Sequence, residues 1–217
     1  MNKKNIILSI VLVIISVIYT ILVKIIDVLP IGPNNSKVGF GTINNYFKNL
    51  IGSNMLIYKI TEVLGILVIL IALLYALKGL LQLIKRKSLL KVNSEILLVG
   101  SLYLVVILIY IFFEKFIINY RPILIDNELE ASYPSSHTIL ALCICTSALM
   151  INKYLFNNKK FVKYYNAYIV VLLVGVLAGR ILSGVHWLSD IVGGIIISIT
   201  LLQIFRTVLW QIKNRIN

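Results

Sequence analysis

Acidic residues are scarce in this 217-residue chain: eight Asp and Glu stand against 21 Lys and Arg, for a formal net charge of +13. Histidine and cysteine are scarcer still, with two of each. Cys143 and Cys145 lie two apart in an apolar stretch. On a helix that spacing turns them to nearly opposite faces, which argues against a mutual disulfide or a shared metal and leaves them as small core residues, silent on redox compartment. There is no internal repeat and no low-complexity tail. Charged residues make up only 13% of the chain against 59% hydrophobic ones, with a mean hydropathy of +0.96. That excludes an ordinary soluble domain, which needs more polar surface. The length suits one compact helical membrane bundle over residues 1–217 and leaves no room for a second sizeable domain.

What is abundant is long apolar runs. Six predict membrane-spanning helices: Ile6–Val23, Val63–Ile84, Ile96–Phe113, Thr138–Ile151, Tyr164–Ala178 and Ile191–Phe205. A bilayer crossing needs about 20 such residues. The first run lacks a small-residue cleavage site and reads as a retained anchor. The last three runs are shorter, which suits helices at the bundle centre, surrounded by protein rather than lipid. Gly175 and Gly179 form a G-x-x-x-G pair that allows the fifth span to pack closely. Residues 25–54, rich in Gly, Pro and Asn, predict turns, with a short interfacial helix near Ile43–Ile51. This segment reads as a connector rather than a lid.

The excess of positive charge sorts by topology. With the N-terminus inside, fourteen of the 21 basic residues fall on the cytoplasmic side: Lys3 and Lys4, the Lys78–Lys91 group, four lysines within Lys153–Lys163, and Arg206, Lys213 and Arg215. This is the positive-inside pattern, so the charge needs no nucleic-acid partner. Loops 114–137 and 180–190, which hold both histidines, then fall together on the extracytoplasmic side.

Those loops carry the polar residues whose chemistry is most specific. Asp190 follows His186 by four residues, so on a helix the carboxylate shares a face with the imidazole and can hold one ring N–H. The plainer alternative is a His–Asp pair that caps the sixth span. Arg180 can fold back across Ser183-Gly184 and present a planar fork of donors to phosphate oxygens. Pro134-Ser135-Ser136-His137 precedes the fourth span, where a serine hydroxyl and free backbone N–H groups form an anion nest and also suit N-capping. His137 can donate or accept a proton near neutrality. Arg121-Pro122 lies just upstream.

Together these residues resemble the type 2 phosphatidic acid phosphatase superfamily, the membrane branch of a group that includes bacterial acid phosphatases and vanadium haloperoxidases. Its three motifs are lysine, six residues and Arg-Pro; Pro-Ser-Gly-His; and Ser-Arg, five residues, histidine, three residues, aspartate. Arg121-Pro122 matches the end of the first. Pro134-Ser135-Ser136-His137 matches the second with Ser136 for glycine. Gly179-Arg180, His186 and Asp190 match the third with Gly179 for serine. The resemblance implies a lipid phosphatase with His186 as nucleophile forming a phosphohistidine, Asp190 orienting it, and His137 as general acid and then base. It further implies phosphoryl binding by Arg121, Arg180, Ser135 and the Ser136 N–H, with no cofactor and no metal. One position departs from the pattern. Glu114 occupies the place of the family lysine, with Lys115 one residue later; a one-residue slip on a helix turns a side chain by about 100°. The expectation is that Lys115 reaches the phosphate through its long stem.

Two other readings fit some of these residues. His137, His186 and Asp190 could form a zinc site, but two adjacent arginines would repel the cation. A transporter would place its polar groups near the bilayer midplane, not at span ends. The expected substrate is a lipid-linked phosphate in the cytoplasmic membrane: undecaprenyl diphosphate, phosphatidylglycerol phosphate or phosphatidic acid. An outward-facing site mildly favours the first. Nothing in the sequence fixes the oligomeric state.

Overall fold

A computed structural model describes residues 3–216, with side chains through Asn214; the Arg215 side chain, counted above among the basic residues, lies outside the described part. The described residues form seven α-helices and no strand: α1 Lys3–Ile25, α2 Gly41–Ile51, α3 Met55–Arg86, α4 Ser94–Lys115, α5 Ser136–Leu155, α6 Lys159–Ser183 and α7 Leu188–Ile216. All except α2 are long and apolar enough to cross a membrane. The chain is a multi-pass, all-helical membrane protein.

The spans extend further than their apolar runs. Asn54 caps α3 by accepting from the Leu56 and Ile57 N–H groups at 3.1 and 3.0 Å, so the helix starts eight residues before Val63. At 20, 25 and 29 residues, α5, α6 and α7 are not the short helices expected. Their polar ends continue the helix beyond the hydrocarbon-like stretch, because caps and neighbouring helices satisfy the terminal backbone groups there. Asn158, for example, accepts from the Phe161 N–H at 3.0 Å at the start of α6.

The packing is inverted relative to a soluble protein. Large apolar side chains of α1, α3 and α4 are exposed outward, as on Ile14, Leu70 and Ile107, which is the expected face toward lipid tails. The shortest spanning helix, α5, sits at the centre and packs against α3, α4, α6 and α7. Cys143 and Cys145 are free and fully buried in this core, as expected. Polar ties link the helices internally: Tyr75 donates to Asn152 Oδ1 at 2.5 Å, and Asn152 donates to Asn166 Oδ1 at 2.7 Å. On the periphery, α1 reaches α7 through Ser16 and Thr200 (2.7 Å).

The G-x-x-x-G pair on α6 faces α3. A Cβ on Gly179 would stand 2.2 Å from Thr61 Cγ2, so only glycine permits this approach. The close contact brings the residues beside them, Arg180 and Glu62, together at the same end of the bundle as both polar loops.

Candidate active site

The polar loops meet at the end where α3, α5 and α7 begin and α4 and α6 finish. His186 lies in the turn between α6 and α7, ahead of the first residue of α7 rather than within it. The α6 helix ends at Gly184, which closes it in the left-handed conformation at φ 61°. His186 and Asp190 therefore do not form the expected direct helical pair. Ser132 stands between them. Its hydroxyl donates to Asp190 Oδ2 at 2.5 Å and lies 3.0 Å from His186 Nδ1. A serine has one hydroxyl proton. With that proton on the carboxylate, Ser132 Oγ accepts from Nδ1–H, and the lone pair of His186 is left on Nε2.

Asp190 itself is fully buried and saturated with donors. Its Oδ1 accepts from Asn119 at 3.0 Å, and its Oδ2 also accepts the Trp187 N–H at 3.1 Å. The latter bond braces the start of α7, so the capping role and the link toward His186 coexist. Asn119 is in turn held by the Gly39 N–H at 3.2 Å. His186 is buried, and this desolvation, reinforced by the charges of Arg121, Arg180 and His137, holds its imidazole well below the usual histidine range. It is a neutral base.

Each arginine is buried beside a carboxylate. Arg180 has a fully buried side chain and bonds Glu62 Oε1 at 2.5 Å. Arg121 Nε lies 2.9 Å from Glu130 Oε2, an ion pair without hydrogen-bond alignment. Both guanidiniums flank the Tyr58 ring, at 5.9 Å for Arg121 and 5.2 Å for Arg180. Several buried nitrogens have no hydrogen-bond partner among the described residues: Arg121 Nε and Nη1, Arg180 Nε and Nη1, His137 Nδ1 and His186 Nε2. Buried polar nitrogens, donors or acceptors, are seldom left unpaired. Such a concentration in four residues suits an anion with several acceptor oxygens.

Two adjoining cavities carry the histidines. The first is lined by Arg121, Ser132, Ser136 and His186 together with Glu114. The second is lined by Glu62, Tyr110, Ser136 and His137 among apolar side chains of α3, α5 and α6. Ser136 belongs to both. Of the residues expected to bind phosphate, Arg121, Arg180 and Ser136 are thus brought to the site with the two histidines. Ser135 is not presented in the same way. It is fully buried, its hydroxyl accepts from Thr138 at 2.9 Å, its N–H is taken by the Asp190 carbonyl at 3.0 Å, and its side chain does not cap α5. Lys115 is likewise outside: it is exposed, with no partner among the described residues, and Glu114 faces the cavity instead. The helical register that α4 keeps to its last residue explains the difference.

Segment 25–54 is more than a connector. Asn44 of α2 is fully buried, donates to Ser189 Oγ at 2.8 Å and accepts the Ser189 N–H at 3.1 Å. Lys48 donates to the Gly184 carbonyl at 2.8 Å and to Ser53, and burial lowers its pKa. The α2 helix thereby clamps the turn that carries His186. Sequence reading missed Ser132, Asn119, Asn44 and Glu62. Only Glu62 gave a signal, as the lone acid in the 32-residue α3.

Six membrane-length helices that close one end over buried His186, Arg121 and Arg180 and a half-buried His137 define a polytopic membrane protein with a polar cluster at the span ends. The chain belongs to the PAP2 superfamily, which it matches over residues 61–214. Its fold is similar to that of the transmembrane PAP2-type phosphatidylglycerolphosphate phosphatase from Bacillus subtilis, with a TM-score of 0.62 and 20% identity over 94% of this chain and 96% of that one. An 88-residue stretch, 38% of the chain, is 33% identical to lipid phosphate phosphatase delta of Arabidopsis thaliana and covers 20% of that longer protein.

Proposed function

We propose that the chain is a metal-independent lipid phosphatase that works through a phosphohistidine. The observation that carries this reading is the placement of His186, whose Nε2 is buried without a partner among the described residues while Nδ1 is engaged by Ser132. In the first step His186 Nε2 attacks phosphorus and forms the P–N bond. The bond to the leaving oxygen breaks, and that oxygen takes a proton from His137. In the second step His137 removes a proton from water, the resulting hydroxide attacks phosphorus, and the P–N bond breaks to release phosphate and neutral His186. Arg121 and Arg180 hold the equatorial oxygens, with the Ser136 N–H as a further donor, and stabilise the charge that develops on them. Asp190 acts on His186 through Ser132.

The site opens among apolar helices, which suits a substrate whose tail stays in the membrane. Undecaprenyl diphosphate, phosphatidylglycerol phosphate and phosphatidic acid all qualify. The lysine-rich end of the bundle supports a cytoplasmic-membrane orientation with both chain ends inside and the site outside. A zinc hydrolase is less consistent with the geometry, since among the described residues no three His, Cys, Asp or Glu side chains are grouped to hold a metal.

The test is phosphate release by purified protein in detergent across these lipids. Activity should persist in excess chelator, fall with vanadate, and disappear in His186→Ala. Radiolabelled substrate quenched early should leave an acid-labile adduct on His186. Loss of activity in chelator with recovery on zinc addition would overturn the mechanism.

A further inference from the structure

At the end of the bundle opposite the candidate active site, a cleft of about 860 Å³ opens between the start of α1, the end of α5 and the end of α7. Lys153, Arg206 and Lys213 line it with Trp210, Tyr154 and Asn5, and no described wall residue is acidic. The ammonium groups of Lys153 and Lys213 converge on the Tyr154 ring, 4.8 and 4.3 Å from its centroid. Glu95 of α4, outside the cleft walls, pairs with Lys213. Lys153 and Arg206 have no carboxylate partner among the described residues. Holding like charges together at one ring costs free energy that a bound anion offsets. Depth in the membrane narrows the choice of anion. At 1.5 Å per residue, Arg206 stands about 27 Å from the start of α7 and Lys153 about 26 Å from the start of α5, close to the thickness of the hydrocarbon layer. The cations therefore lie at headgroup depth, beside the exposed indole of Trp210, a residue type that favours this interface. Leu149 and Met150, one turn closer to the bilayer centre on α5, give the cleft an apolar floor.

We propose that this cleft binds an anionic phospholipid, with the headgroup phosphate held by Lys153 and Arg206 and the upper acyl chains covering Leu149 and Met150. A free phosphate would gain nothing from the apolar floor or the indole. A zwitterionic headgroup brings its own cation, for which the cleft holds no acid. A headgroup of net negative charge meets donors suited to phosphate oxygens and carries no such mismatch. Because the walls come from three spans, the lipid links α1 to α5 and α7, and α1 is the least buried of the six spans. On the orientation proposed above, the cleft faces the cytoplasmic leaflet, where basic pockets between spans meet anionic lipid. None of its residues lines the candidate active site, so the assignment stands apart from the phosphatase reading.

The chain has two tryptophans, Trp210 in the cleft and Trp187 buried at the other end, so fluorescence can locate the lipid. The full chain in detergent is titrated with phosphatidylglycerol or phosphatidylcholine brominated on the same acyl chains, and tryptophan emission is followed. Half-quenching should need about fivefold less phosphatidylglycerol, the preference that one or more cation contacts to an anionic headgroup supply. Trp210→Phe, which leaves Trp187 as the reporter, should bring the two lipids within about twofold, and Lys153→Gln combined with Arg206→Gln should do the same. Arg206→Gln alone removes no bond within the fold and should cut the preference about twofold or more, so the test stands even if the double variant cannot be purified. Lys85→Gln, an exposed lysine at the same end on α3, should keep the preference. Equal quenching by the two lipids in the wild type would overturn the site. So would a preference that survives in Trp210→Phe or Arg206→Gln, or an equal loss in Lys85→Gln, which would reduce the effect to general surface charge. Reversal of quenching by inorganic phosphate but not by sodium chloride of equal ionic strength would assign the cations to free phosphate and overturn the lipid.

Discussion

Ser132 concentrates the chemistry of the site at the scale of one residue. A direct carboxylate contact would hold the His186 tautomer through a charge. Here the hydroxyl, 2.5 Å from Asp190 and 3.0 Å from His186, passes that preference on without placing the anion against the ring. On the proposed mechanism this leaves Nε2 of the buried imidazole available for attack. Ser132→Ala removes the hydroxyl beside Nδ1 while leaving the Ser132 backbone contact to the ring and the arginines in place. The expected outcome is a fall in kcat of about ten- to a hundredfold with KM nearly unchanged, since an oriented nucleophile matters in the transition state more than in binding. Ser132→Thr, which retains the hydroxyl, should recover part of the loss. A rise in KM at constant kcat would show that Ser132 binds the phosphate instead. The arginines, histidines and Asp190 were legible in the sequence because their spacing is a known pattern. Ser132 was not, because its role depends on a loop folding back against α7. Lys115 was misread for a related reason: a long flexible stem was allowed to overcome the helical register, whereas α4 keeps that register and turns Glu114 to the cavity.

Among the elements, α2 shows how a segment with weak sequence signals comes to control a strong site. The short helix was predicted near Ile43–Ile51 and is found at Gly41–Ile51. Its purpose was not visible, because nothing local in the chain links Asn44 to Ser189 or Lys48 to Gly184. Those partners lie more than a hundred residues away and meet only when α1 and α7 pack together. Lys48 donates to backbone oxygens on both sides of the contact, at Gly184 and Gly52, so it ties the His186 turn to the start of α3. Spans α5 to α7 illustrate the opposite limit: their apolar cores were legible and their ends were not, since caps and tertiary contacts rather than hydropathy determine where they stop. Lys48→Met keeps the apolar stem and removes the ammonium. It should lower turnover by roughly three- to tenfold, and the thermal midpoint should fall by only a few degrees, because one charge-assisted bond at a surface turn contributes about 1.5–3 kcal/mol at most and part of it is recovered by water. Turnover and melting measured on the same detergent preparation would separate the two. A large loss of stability with full activity in the surviving fraction would show that the clamp holds the fold and not the turn.

For the whole molecule, charge and chemistry divide between the two ends of one bundle. Lys3, Arg86, Lys153 and Lys213 mark one end, while His137, His186 and both buried arginines sit at the other. The helices alternate in direction, so the ends of α1, α4 and α6 meet the starts of α3, α5 and α7 at the site. This division was readable from the sequence, because it needs only the number of spans and the tally of basic residues. Lengthening of the spans at their ends changes neither. On the orientation proposed above, the positive-inside tendency puts the basic end in the cytoplasm and the candidate site outside. Glu128 lies in the exposed turn of the loop between α4 and α5, and the two native cysteines are buried in the core. A cysteine at Glu128→Cys should therefore react with an impermeant maleimide in intact cells, whereas a C-terminal epitope should resist external protease until the membrane is opened. Both readings invert together if the bundle is inserted the other way. In that case the substrate phosphate would have to be presented from the cytoplasmic leaflet, and the positive charges would face outward against the usual bias.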